Sequence, residues 1–119
     1  MKQKTYSLDK LNEISQGDES FVNDMLVTFV ENVSEDVRKL EWSKAVEGWR
    51  TVGELAHKMV TRFAYLDAQN MQQLAADIEK SVLNENDLTA IDEKTEKLIS
   101  GSSALLNELK NDFDFLNTN

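Results

Sequence analysis

The sequence predicts an all-α fold, an antiparallel up-down four-helix bundle with a short extra helix at its N-terminal end. Three observations favour this fold. Apolar residues recur at three- and four-residue spacing along four long segments. The 119 residues include no proline and only four glycines, which is typical of long helices with few tight turns. The segments between the helical patterns are short, and short connections join antiparallel neighbours.

Length and composition limit the class of molecule. A chain of 119 residues can bury one core, so we expect one helical domain over residues 1–119. The net charge of −9 does not suit a nucleic-acid partner, which needs a basic stripe. No apolar run approaches the roughly 18 residues of a membrane span, and the first residues lack the apolar segment of a signal peptide. We therefore expect a cytoplasmic protein with neither nucleic acid nor membrane as a partner.

The first two helices have clear boundaries. Residues 8–15 read as a short helix that ends at Gly17. Its apolar side would consist of Leu8, Leu11 and Ile14. Asp18 is a good N-cap for a long second helix, which should end between Trp42 and Val46. Its apolar stripe would consist of Phe21, Val22, Met25, Leu26, Phe29, Val30, Val33, Val37 and Leu40. We interpret Trp42 and Trp49 as core or rim residues.

Three further helices follow. The third should run from about residue 48 to residue 64, and Asp67 could cap the fourth. The inner face of the fourth helix would be Met71, Leu74, Ala75, Ile78 and Val82. Residues 84–87 are the clearest loop, and the last helix should extend from about residue 88 beyond Leu109. Its stripe would be Ile91, Thr95, Leu98, Ser102, Leu105, Leu109 and Phe113. Residues 101–103 would allow close packing or slight bending in its middle. Phe115 would lie in the core or cap the end of the helix, and the chain should fray from Leu116 onward.

The third helix presents the single histidine of the chain. At about 100° per residue, Val52, Ala56, Met59 and Phe63 share one face, and His57 lies roughly 120° from its middle. The residues that share the outer face with His57 are Arg50, Gly53, Glu54, Thr61 and Ala64. Three of these are small, which could give another protein access to the imidazole. The alternative is that His57 is an ordinary surface residue and Gly53 a tolerated weak point of the helix.

Two segments carry a resemblance to a known family. Leu55-Ala56-His57-Lys58-Met59, with Trp49 eight residues before the histidine, resembles the active helix of histidine-containing phosphotransfer (HPt) domains. The segments 6–11 and 14–22 are similar to the opening of the same family. The resemblance implies a helical bundle in which His57 accepts a phosphoryl group from a receiver aspartate and passes it to another receiver.

The resemblance also implies the partners. Response-regulator receiver domains would supply the aspartate and Mg²⁺, and a hybrid histidine kinase is a further candidate partner. This chain would bind no cofactor or metal itself, would not be an enzyme in the ordinary sense, and is expected to be a monomer. A neutral imidazole is a competent nucleophile near neutral pH, and phosphoryl transfer depends chiefly on alignment and charge stabilisation.

Glu79 is the candidate group for orienting the imidazole. If the third and fourth helices form a hairpin that turns near residues 66–67, His57 lies about ten residues, or roughly 15 Å, before the turn. Its level on the fourth helix is then residues 77–79, and Glu79 lies at the edge of the apolar face. Its carboxylate could accept a hydrogen bond from one ring nitrogen and fix the tautomer. The alternative is a solvated surface charge.

Nearby cations would matter for a phosphorylated histidine, because the phosphoryl group adds negative charge to an acidic protein. Lys58 is the candidate phosphate stabiliser, and Arg50 and Arg62 are candidate partner contacts, although all three could be ordinary surface charges. The commonest family pattern has a lysine three residues after the histidine and a glycine four after, where this chain has Val60 and Thr61.

Two other functions therefore stay open. In the first, the domain docks to receivers or kinases as an adaptor without carrying phosphate, which the replacement of the usual lysine and glycine favours. In the second, the chain is a structural bundle that oligomerises, and the face around Gly53, His57 and Thr61 binds no partner.

Overall fold

The computed structural model describes residues 5–85 and 87–117, and every regular element in those ranges is helical. The all-α prediction is therefore confirmed for this part of the chain. Five α-helices follow one another, and a short 3₁₀-helix ends the described chain. They are α1 (Asp9–Ser15), α2 (Glu19–Ala45), α3 (Trp49–Tyr65), α4 (Gln69–Leu83), α5 (Leu88–Asp112) and the 3₁₀-helix Asp114–Asn117.

Two aspartates begin the two longest helices. The Asp18 carboxylate accepts a hydrogen bond from the Phe21 backbone N–H at 3.2 Å, as predicted for the N-cap of α2. Asp87 accepts one from the Thr89 N–H at 2.9 Å at the start of α5. The predicted loop at 84–87 separates α4 from α5, although Asn86 lies outside the described residues.

A single cluster of apolar side chains joins the helices. It draws its members from α1, α2, α3, α4, α5 and the 3₁₀-helix. The predicted faces supply most of it: Phe29 of α2 meets Phe63 of α3 edge to face, with ring centroids 6.2 Å apart. The molecule measures 44 × 28 × 28 Å, and its long dimension matches the roughly 40 Å length of the 27-residue helix α2.

The glycine in the middle of α5 allows a close helix contact, as predicted. A Cβ at Gly101 would lie 2.6 Å from Sδ and 2.8 Å from Cε of Met71, so a larger residue there would displace the end of the Met71 side chain. The other predicted members of the α5 stripe are buried except for Phe113, which is half-buried. The contact fixes α4 against α5, which matters for the site because α4 also packs on α3.

Several sequence predictions are wrong in detail. Trp42 is not a core or rim residue, because it is 70% exposed. Ile14 is 49% exposed although it was assigned to the apolar side of α1. Asp67 does not cap α4, because it adopts a left-handed conformation (φ 49°) and Ala68 holds the cap position. Leu116 does not fray: it is buried within the 3₁₀-helix, which packs against α2 and α5. Trp49 does pack at the edge of the core.

None of the helices in the described ranges is both long and apolar enough to cross a membrane.

Candidate functional site

Helix α3 presents His57 to solvent. Its inward face is the predicted one, since Val52, Ala56, Met59 and Phe63 are fully buried. The imidazole lies on the other side, and the His57 side chain is 71% exposed. The predicted accessibility of the ring is therefore confirmed, and a second molecule could reach it.

A carboxylate from α4 contacts the imidazole. Glu79 Oε2 lies 2.6 Å from His57 Nδ1, and the Glu79 side chain is 30% exposed. The contact is the one expected from equal distances along the α3–α4 hairpin. A carboxylate attracts a proton onto a neighbouring nitrogen, so the contact favours the tautomer with the proton on Nδ1. In a neutral ring this leaves the lone pair on Nε2, the nitrogen that can act as a nucleophile.

Gly53 explains how α4 comes close enough to provide that carboxylate. Gly53 is buried, so the prediction that it lies in an open clearing beside His57 is wrong. A Cβ there would lie 2.9 Å from Val82 Cγ1 and 3.1 Å from Val82 Cβ. The missing side chain lets the two helices touch. His57 lies about one turn after Gly53 on α3, and Glu79 lies about one turn before Val82 on α4.

A shallow groove of about 520 Å³ surrounds the histidine between α3 and α4. It is lined by Arg50, Gly53, Glu54, His57, Lys58, Glu79, Val82 and Leu83. Arg50 and Glu54 form an exposed ion pair, with Nε and Oε1 3.5 Å apart. Lys58 makes no ion pair within residues 5–85 and 87–117, and its charge also helps to lower the pKa of Asp36 on α2.

Arg62 is not part of this surface. Its guanidinium reaches across to α2, where it forms an ion pair with Asp36 and donates a hydrogen bond to the Asn32 carbonyl at 3.0 Å. The Asp36 side chain is only 4% exposed. Arg62 therefore does not line the groove around His57, and its contact with a partner stays a prediction.

Burial raises the pKa of the Asp36 carboxyl above its ordinary value. The Arg62 guanidinium lowers it again, by charge attraction and by hydrogen bonding, but does not cancel the effect of burial. The buried ion pair thus joins α2 to α3 at a cost in desolvation.

Some of the other residues predicted to contact a partner do not line the groove. Thr61 is exposed and Ala64 is half-buried on α3, and neither lines the groove. The groove also has an apolar wall formed by Val82, which the pattern predicts on the inner face of α4, and by Leu83, which no prediction includes. Asp36 was also missed, although its place among Val33, Val37 and Leu40 on an apolar stripe was a signal that it needed a partner.

Within the described chain, no group of three or more His, Asp or Glu side chains is arranged to hold a metal ion. Comparisons of the chain with protein-family models, with curated protein sequences and with solved structures found no match.

Proposed function

We propose that the chain is a phosphorelay intermediate of the histidine-containing phosphotransfer type, with His57 as the phosphoacceptor. One observation carries the proposal: an exposed imidazole whose Nδ1 is held by Glu79 at 2.6 Å, so that Nε2 is left to react. The resemblance of the segment around Leu55-Ala56-His57-Lys58-Met59 to HPt domains supports the same function.

The proposed reaction needs little from this chain beyond a positioned ring. The Nε2 lone pair attacks the phosphorus of an aspartyl phosphate on a receiver domain, and an N–P bond forms. The acyl O–P bond breaks, and its electron pair leaves with the aspartate carboxylate. Positive charge that develops on the ring is offset by the Glu79 carboxylate beside Nδ1. The receiver supplies Mg²⁺, and the reverse reaction passes the group to a second receiver.

Two cations are our candidates for contacts with the phosphoryl group. Lys58 and Arg50 line the groove with His57, whereas Arg62 is held by Asp36 on another side of α3. A charged donor contacts a phosphoryl group by strong, short hydrogen bonds. Lys58 and Arg50 would then supply the charge that a lysine three residues after the histidine supplies in the commonest family pattern.

The finer architecture is part of the proposal. We assign α2 to α5 to an antiparallel up-down four-helix bundle in one domain, which functions as a cytoplasmic monomer. Short connections between successive helices support it, together with contacts between each successive pair and between α2 and α5, which close a ring.

The direct test is transfer from a phosphorylated receiver domain. Wild-type protein should become labelled, the label should be acid-labile and base-stable, and His57→Gln should abolish it. An exposed residue away from the groove provides a matched control, so Arg38→Gln should label like wild type. If His57→Gln labels as well as wild type, the phosphoacceptor has been wrongly assigned.

The adaptor function stays a second candidate because Val60 and Thr61 stand where the commonest family pattern has a lysine and a glycine. It predicts that receivers bind without any transfer, and that His57→Gln leaves their affinity unchanged. The two functions are separated by measuring receiver binding and label transfer on the same preparations.

A further inference from the structure

The groove around His57 contains a carboxylate to which the proposed phosphotransfer gives no role. Glu54 lines this groove together with Arg50 and Lys58. It lies three residues before His57 on α3, a spacing that makes two side chains neighbours on a helix surface. Because helical side chains lean toward the N-terminus of their helix, the His57 ring leans over the turn that carries Glu54. A phosphoryl group on His57 would therefore lie close to the Glu54 carboxylate.

Glu54 also holds a cation of the same groove. Arg50 Nε lies 3.5 Å from Glu54 Oε1, and the two side chains are 96% and 65% exposed. Arg50 precedes His57 by about two helical turns and lies about 20° around the helix from it. Since Glu54 lies between them along α3, the contact directs the guanidinium toward His57. Arg50 is thus directed toward the place of a phosphoryl group while it is paired with a carboxylate.

A phosphoryl group on His57 would compete with Glu54 for this guanidinium. It carries about two negative charges near neutral pH and has three acceptor oxygens, whereas Glu54 carries one charge. Arginine can donate to it through two parallel hydrogen bonds. The existing ion pair is a weak competitor, because water screens both of its charges. When Arg50 moves to the phosphoryl group, the Glu54 carboxylate loses its partner and lies beside two further negative charges.

We infer that Glu54 shortens the lifetime of a phosphoryl group on His57, by repelling it and by competing with it for Arg50. The inference rests on the proposed function of His57. A phosphoryl group that moves to another molecule leaves the charge of Glu54 behind, so the repulsion favours release. A relay intermediate has to release the group as well as accept it, and Glu54 acts on the release. If Glu54 were only a partner of Arg50 that stabilises the helix, its removal would leave the lifetime unchanged.

The experiment measures this lifetime without a receiver. The full chain is phosphorylated with phosphoramidate and freed of the reagent, and its single histidine ensures that one phosphohistidine forms. The decay of its ³¹P NMR signal near neutral pH follows hydrolysis. The N–P bond breaks, its electron pair returns to the ring, and a water oxygen bonds to phosphorus. One proton of that water stays on the released phosphate, and the other goes to the ring or the solvent.

Glu54→Gln should lengthen the half-life about fivefold, because it removes the repulsion and frees Arg50. The matched control is Glu96→Gln, which removes a carboxylate from an exposed ion pair with Lys44 at 3.6 Å, but on α5. Its half-life should equal that of wild type. In about 1 M salt the gain in Glu54→Gln should shrink, because charges are then screened over about 3 Å. A purely structural effect of the substitution would not respond to salt in this way.

A double variant tests the competition for Arg50. Arg50→Gln should shorten the half-life, and Glu54→Gln should lengthen it less in Arg50→Gln protein than in wild type, because no guanidinium is left to release. Equal lengthening in both backgrounds, equal changes in Glu54→Gln and Glu96→Gln, or no change in Glu54→Gln would overturn the inference. Label transfer from a receiver is measured separately. Absence of transfer would count against the proposed function, whereas transfer with a lifetime insensitive to Glu54 would count against this inference alone.

Discussion

Helix α3 forms two acid–base side-chain pairs with neighbouring helices, and the two pairs differ strongly in their exposure to solvent. His57 and Arg62 are five residues apart, which places them about 140° apart around the helix. His57 meets Glu79 of α4 in a pair whose side chains are 71% and 30% exposed. Arg62 meets Asp36 of α2 in a pair whose side chains are 27% and 4% exposed. Both pairs join a basic and an acidic side chain, but the first lies mostly in water and the second mostly in the low-dielectric interior of the protein.

The difference indicates a division of roles along one helix. An exposed pair contributes little to the free energy of folding, because water screens both charges, so its geometry is available for chemistry. A buried pair contributes little net energy when intact but is costly to break, because one charge is then left without a partner. We therefore expect changes at Arg62 to act on stability and changes at Glu79 to act on phosphotransfer.

The largest expected effect is on stability. Arg62→Met should lower the free energy of unfolding by about 3 kcal/mol, because it leaves the Asp36 carboxylate buried without a cation. The loss should be greater near neutral pH than in mild acid, where Asp36 can take up a proton. Urea unfolding measures it. Arg38→Met, which breaks the exposed pair with Glu35, is the matched control and should cost less than about 0.5 kcal/mol. Equal losses would contradict the contrast between the two environments.

The next largest effect is on the transfer rate. Glu79→Ala should slow phosphorylation of His57 by about 10- to 100-fold, by analogy with groups that orient histidine ligands, because the ring loses its fixed tautomer and orientation. Glu79→Gln keeps an acceptor oxygen and should recover most of the rate. The control is Asp77→Ala, which removes a nearby carboxylate that accepts a hydrogen bond from Gln73 Nε2. This variant should leave the rate unchanged. Rapid-quench labelling gives the rates, and a similar slowing in Glu79→Ala and Asp77→Ala would argue against an orienting role.

A smaller effect is expected at the helix contact that supports the exposed pair. Gly53→Ala gains about 1 kcal/mol of helix propensity, but its Cβ meets the stiff, β-branched Val82 side chain at a cost of about 1–3 kcal/mol. We expect a net loss of about 1 kcal/mol in thermal or urea unfolding. Gly101→Ala meets only the far end of the flexible Met71 side chain and should be nearly neutral. A Gly53→Ala variant that is more stable than wild type would contradict the tight contact.

Gly53 also shows why the sequence could locate the site but not all of its neighbours. The helical wheel places His57 outside and Val52 and Ala56 inside, because these positions depend only on the helix period. The same helical wheel puts Gly53 on the exposed face, because a wheel does not show how closely the neighbouring helix α4 packs. Glu79 could be located from the sequence, since an antiparallel hairpin fixes the level of its residues.

The same limit explains the other differences. The ion pair of Arg62 depends on which helix lies opposite that side of α3, and a single helix pattern does not contain this information. The size and apolar character of Trp42 predict a core position, but it lies on the outer face of α2, about 160° around the helix from the buried Leu40. The α5 stripe and the close approach at Gly101 were predictable, because a long regular pattern and a small residue in its middle leave few other arrangements.

The smallest expected effect concerns the pH dependence of the buried pair. Burial raises the pKa of Asp36 in the folded state, so between its ordinary value and the raised value the folded protein holds more protons than the unfolded chain. The stability contributed by Asp36 therefore falls as pH rises through this window and is lowest above it. Because asparagine does not titrate, the stability of Asp36→Asn relative to wild type should rise with pH across the window and then become constant. Urea unfolding from about pH 3.5 to about pH 7 tests the slope, and a fall in relative stability would contradict it.

The nitrogen of His57 that becomes phosphorylated can be identified without knowing the partner receiver. Protein labelled with ¹⁵N in histidine is treated with phosphoramidate, a small phosphoryl donor, and the coupling between ¹⁵N and ³¹P is measured in the first product. Because Glu79 holds Nδ1, the phosphorus should be bonded to Nε2. A first product phosphorylated at Nδ1 would contradict the proposal that the Glu79 contact directs the chemistry of His57.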